Sequence, residues 1–158
     1  MERILSVLCL LCILFSFPYS SSAQVKPPMT SSEKRQPLPV PDVSGLDEFH
    51  QHLVFAEGNI AEGDFEGALY NLTQAETIQQ KDPLLYEMFG IVHDSMREYK
   101  KAMNYYKKAA YLYLKNDNIS KARTMLAWMN SIDMHSPEVK ELEKKVKEKQ
   151  DMMKREQR

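Results

Sequence analysis

The sequence predicts an all-α protein, a right-handed solenoid built from helical hairpins, and three observations carry that prediction. After residue 44, apolar residues recur at intervals of three and four, with no alternating strand pattern to compete. Short breaks rich in glycine, aspartate, asparagine and proline cut this pattern into segments of helix length. Small and bulky residues then recur in step, 34 positions apart, as a stacked two-helix unit requires.

The first 23 residues, "MERILSVLCLLCILFSFPYSSSA", read as a signal peptide. Arg3 precedes an apolar run from Ile4 to Phe17, Pro18 breaks it, and Ser21 and Ala23 stand as the small residues before a cut. That run falls short of the ~20 apolar residues of a spanning helix, and Glu2 weakens the positive start, which keeps an uncleaved anchor as the alternative. Both cysteines, Cys9 and Cys12, lie in this leader. The exported chain would then hold no disulfide and no thiolate metal site. Residues 24–44 contain five of the eight prolines and little apolar periodicity, which predicts an extended, disordered linker.

Helical segments follow in order. Ser44 is a candidate cap, with Leu46, Phe49, Leu53, Val54, Ile60 and Ala61 at helical spacing behind it. Gly63 and Asp64 break the first helix, and a second runs from Phe65 to about Gln79. Asp82 caps a third, with Pro83 at its first position, ending near Met96. Residues 99–115, "YKKAMNYYKKAAYLYLK", form a fourth. "NDN" breaks it, Ile119 to Ile132 form a fifth, and Ser136 with Pro137 start a charged sixth over residues 136–158.

Laying residues 49–82 over 83–116 places Phe55 on Phe89, Ala56 on Gly90, Phe65 on Tyr99, Ala68 on Ala102, Leu72 on Tyr106 and Ala75 on Ala109. Small residues let paired helices approach closely, and the bulky ones fill the space between hairpins. On "FAEG…GDFEGALYNLTQA" and "YEMFGIVHDSMREYKKAMNYYKKA" the chain resembles the tetratricopeptide repeat family. A further unit is shorter: Ala122 follows Ala102 by 20 residues, with Ile119, Leu126 and Met129 around it. This predicts that the fourth helix serves two units, through Tyr106, Ala109, Ala110 and Tyr113, and that residues 45–135 hold two repeats and a half. Tyr99, Tyr106 and Tyr113 then share a packing face, Tyr105 and Tyr111 lie off it, and the lysine pairs point to solvent. The last helix caps the array, with Val139, Leu142 and Val146 inward and Glu141–Lys145 and Glu143–Lys147 pairs along its surface; a short coiled coil is its alternative.

The formal net charge is −1, which argues against a dedicated nucleic-acid binder. It hides a dipole, with eight acids and no lysine or arginine from Asp42 to Gln80, and six basic residues against Glu98 alone from Arg97 to Lys115. No Gly-rich phosphate loop or nucleophile elbow occurs. His50 and His52 are two apart and point in different directions on a helix, which argues against a zinc site; with no catalytic motif in the sequence, no cofactor is expected and the protein is read as no enzyme. The glycosylation-type triplets at Asn71 and Asn118 are read as structural, Asn118 as a helix cap.

The resemblance implies that the first helix of each repeat lines a groove holding a protein or peptide partner. By position this implicates His50, Leu53, Glu57 and Ile60 in the first repeat, and Leu84, Glu87, Ile91 and Asp94 in the second. That face is apolar with acidic spots, which suits a partner with basic and hydrophobic side chains. The lysine, arginine and asparagine of the family's carboxylate clamp are missing from it. The expected function is a non-catalytic scaffold or adaptor, exported to a periplasm or secreted, acting in assembly of a cell-envelope complex. Its alternatives are a structural protein assembling head to tail through the charge dipole, and an accessory subunit of an envelope enzyme or secretion system.

Overall fold

Residues 41–156 are described by the computed structural model, so the signal peptide of residues 1–23 and most of the linker of residues 24–44 lie outside the described residues. Six helices follow one another: α1 (Glu48–Glu62), α2 (Phe65–Ile78), α3 (Pro83–Ser95), α4 (Tyr99–Lys115), α5 (Ile119–Asp133) and α6 (Pro137–Glu156). Each packs mainly on its neighbours in sequence, with additional contacts of α1 to α3 and of α4 to α6. Among the described residues, no helix is long and apolar enough to cross a membrane.

Caps account for most of the helix starts. Asp47 caps α1 by accepting from the His50 N–H, so the role read for Ser44 is corrected; the Ser44 N–H instead donates to the Asp42 carboxylate two residues earlier. Asp82 caps α3 through the Leu84 N–H and Asn118 caps α5 through the Lys121 N–H, while the Ser136 hydroxyl accepts from the Val139 N–H in α6.

One turn is built three times. Gly63 (φ 79°), Arg97 (φ 61°) and Asp117 (φ 58°) each adopt the left-handed conformation and directly precede the N-cap of the next helix. In every case that residue's N–H reaches back three positions, to Ile60, Asp94 and Leu114. The next N–H reaches back five, to Asn59, His93 and Tyr113, at 2.8 Å each time. These bonds satisfy carbonyls that a helix end leaves orphaned. The left-handed step is free for Gly63 and costs Arg97 and Asp117 about 1–2 kcal/mol each.

The small residues are the closest-packed part of the core. Ala56, Ala68, Ala75, Ala102, Ala109, Ala110 and Ala122 are fully buried. A Cβ added at Gly90 would stand 2.4 Å from two ring carbons of Tyr106, so here α3 meets α4 at a distance that only glycine permits. Leu72, Tyr106, Met125, Met129, Val139 and Leu142 fill the space between the helices, while Phe55 is only half-buried.

The tyrosine expectations need correction at two places. Tyr106 and Tyr113 are buried, but Tyr99, at the first position of α4, is half exposed. Tyr105, expected off the packing face, instead lies nearly parallel to Phe89 at 4.8 Å and to His93 at 5.2 Å, because residues 86, 89 and 93 of α3 present one aromatic ridge to it. His93 is thus a packed residue, and its ring also meets the Glu98 carboxylate at 2.6 Å.

The lysine pairs are not simply solvated either. Lys107 reaches Glu141 of α6 at 3.1 Å, and the Lys108 ammonium sits 3.6 Å from the centre of the Tyr86 ring, near Glu76. Glu141 therefore turns to α4 rather than forming an ion pair with Lys145, and the surface pair observed along α6 is Lys144–Glu148. Lys149 tethers α6 to the α4–α5 turn through Asp117 at 2.5 Å.

Burial, followed by the hydrogen bond to Glu141, pushes the Tyr111 phenol up to about 12. Burial also raises Tyr106 and Tyr113, with help from Asp94 and Glu87 respectively. A raised phenol keeps its proton in the folded state, so its contribution is complete below the ordinary value of 10 and is lost as pH climbs toward the folded value. Urea midpoints should therefore fall between about pH 9 and about pH 11, and Tyr111→Phe should shallow that fall. An equally steep fall in the variant would assign the loss to other groups.

Candidate binding groove

Three alternate helices, α1, α3 and α5, border one groove of about 530 Å³. The helical period explains its α1 wall: His50, Leu53, Glu57 and Ile60 are three or four apart, so they line up along one face. Leu84, Glu87 and Ile91 do the same on α3. Seven of the eight residues placed in the groove from sequence line it.

Asp94, the eighth, is corrected. It does not border the groove, and its carboxylate accepts a hydrogen bond from the Tyr106 hydroxyl at 3.3 Å, bracing the ring that Gly90 accommodates. Leu46, Val54, Met88 and Lys121 complete the lining, and sequence reasoning had not placed them there. Val54 and Met88 stand next to predicted lining positions on the same helices, and Leu46 lies just before the α1 cap.

Lys121 is the informative omission. The 20-residue interval between Ala102 and Ala122 assigns α5 to the second position of a hairpin, away from the groove. In the structure Lys121, in the first turn of α5, nonetheless borders it beside α1 and α3. The signal lay in the longer period, because Leu53, Glu87 and Lys121 are successive positions at a spacing of 34. Two cross-helix ion pairs, Glu87–Lys121 and Lys107–Glu141, join residues separated by that same 34.

The polar floor of the groove joins three helices. Glu87 of α3 is buried, accepts from the Tyr113 hydroxyl of α4 at 2.5 Å, and meets the Lys121 ammonium of α5 at 3.0 Å. Burial and the nearby Glu87 carboxylate hold the Tyr113 phenol above its ordinary range, so it stays a donor. At the groove's edge His50 meets Asp47 at 2.7 Å, and the His50 backbone and ring hold that carboxyl below its usual range. His52, on another face, bonds to Asn71, which in turn bonds to Asn59.

Among the described residues, no three histidine, cysteine or acidic side chains converge on a point where they could hold a metal ion. The groove offers apolar walls, one internally neutralised ion pair and the exposed carboxylate of Glu57. Such a lining can hold an apolar segment by burying its surface and can orient it by charge. No family model, curated protein or solved structure matches this chain.

Proposed function

We propose that the protein is an exported, non-catalytic scaffold or adaptor of tetratricopeptide-repeat type, which holds a segment of a protein partner in the α1–α3–α5 groove. The single observation behind this reading is the groove's composition. Residues selected by a 34-residue repeat stand on alternate helices yet share one apolar face. The like turns at Gly63 and Arg97, inside the α1–α2 and α3–α4 pairs, and the ion pairs 34 residues apart support stacking of like hairpins.

The head-to-tail alternative loses ground on a specific point. Lys101, Lys107 and Lys108 of the basic helix are already engaged by Glu98, Glu141 and Glu76 within the chain. Less uncompensated charge is left for a second copy.

A photo-reactive amino acid at Leu84, which is 41% exposed in the groove, should capture a partner in the native envelope. The same group at Tyr70, 65% exposed on α2 outside the groove lining, should not. Equal adducts from both positions, or none from Leu84, would refute a groove-binding adaptor.

A further inference from the structure

We infer that the groove selects a segment bearing apolar side chains and a lysine or arginine that pairs with Glu57. This inference rests on the groove reading of the previous section and adds the charge of the ligand.

The charges of the lining decide it. Glu87 is the deeper carboxylate, but Tyr113 and Lys121 already satisfy it, at 2.5 Å and 3.0 Å. The Lys121 ammonium lies within 3.3 Å of both Glu87 oxygens, so this cation and this anion cancel. Glu57 has no ion-pair partner among the described residues and is exposed in the middle of the α1 wall. The uncompensated charge facing a ligand is therefore negative. Around it stand Leu53, Val54, Ile60, Leu84 and Ile91, which can bury apolar side chains but offer a charged one nothing. From His50 to Ile60 the wall extends about 15 Å at ~1.5 Å per residue, the length of a three-turn helix or a short extended segment.

An acidic segment would instead have to meet Glu57 as a like charge and draw Lys121 away from Glu87. That would leave the buried carboxylate with the Tyr113 hydroxyl alone, a strongly unfavourable exchange. A neutral apolar segment would fill the walls and leave Glu57 unpaired at their centre.

The test is selection of a displayed library of random linear peptides on the purified protein, with the Glu57→Lys variant selected in parallel. The wild type should enrich apolar peptides carrying lysine or arginine. Synthetic copies should bind Glu57→Lys about tenfold more weakly, the sum of a lost attraction and a new repulsion. Changing the peptide's basic residue to glutamate should restore binding to that variant. Thermal melting of Glu57→Lys, a surface substitution, should match the wild type, which separates binding from folding. Enrichment of acidic or uncharged peptides whose binding Leu84→Asp abolishes would overturn the inference while leaving the groove reading intact. Peptides insensitive to both substitutions, or no enrichment at all, would overturn both.

Discussion

Gly90→Val is expected to destabilise the fold by about 2–3 kcal/mol, although valine is the better helix former by a few tenths of that. The added Cβ alone would stand 2.4 Å from two carbons of the Tyr106 ring. That ring cannot swing aside, since Tyr106 is only 2% exposed, its hydroxyl donates to Asp94, and Trp128 of α5 lies 5.2 Å from it. Gly58 of α1 supplies the control, because nothing lies within 4 Å of its would-be Cβ. Gly58→Ala should stabilise by about 0.5–1 kcal/mol. Urea unfolding followed by circular dichroism measures both. Tyr106→Ala should itself cost about 3–5 kcal/mol, but combined with Gly90→Val the loss should be well below the sum, since the room it opens relieves the clash. Additive losses would show that the two residues do not share one contact.

Glu87→Leu is expected to cost about 1–3 kcal/mol, most of it through Tyr113 rather than Lys121. The Lys121 side chain is 46% exposed and can turn its ammonium to water once the carboxylate is gone. The Tyr113 hydroxyl sits beside a residue only 5% exposed and would be left without its acceptor. Glu87→Leu with Tyr113→Phe removes both partners, so most of the loss should be recovered. Failure of the second substitution to restore stability would assign the effect to packing of the leucine instead.

Helix boundaries were legible because their signals are local. Asp82 and Pro83, Asn118, and Ser136 with Pro137 start helices through side chains acting within three residues, and each does so in the structure. Asp47 displaced Ser44 as a cap because both are good acceptors three residues apart, and only the exit angle of the chain decides which one the first free N–H groups meet. The groove walls on α1 and α3 were legible only through the resemblance to the repeat family, which implied which helices and which face to take; helical spacing then lined their residues up.

Other features depend on partners far away in sequence. Tyr99, Tyr105 and Tyr106 look interchangeable in composition, yet one is half exposed, one is sandwiched against α3 and one is wedged over Gly90. Spacing within α4 set Tyr106 on the packing face, but it misplaced Tyr99 and Tyr105, because how α3 and α5 lie against α4 decides which further ring is covered. Glu141 had a lysine one turn away and took Lys107 on α4 instead, a choice between two cations of similar chemistry that only tertiary distance resolves.

By itself, then, the order of residues determined an all-α chain and, within a few residues, the limits of its six helices, because caps, breakers and a 3.6-residue period act over a few positions. Tertiary structure alone decided that Lys121 of α5 borders the groove, that it neutralises Glu87, and that Glu57 has no ion-pair partner among the described residues. These depend on which helices lie side by side, and burial and Coulomb interaction respond to distance through space rather than along the chain.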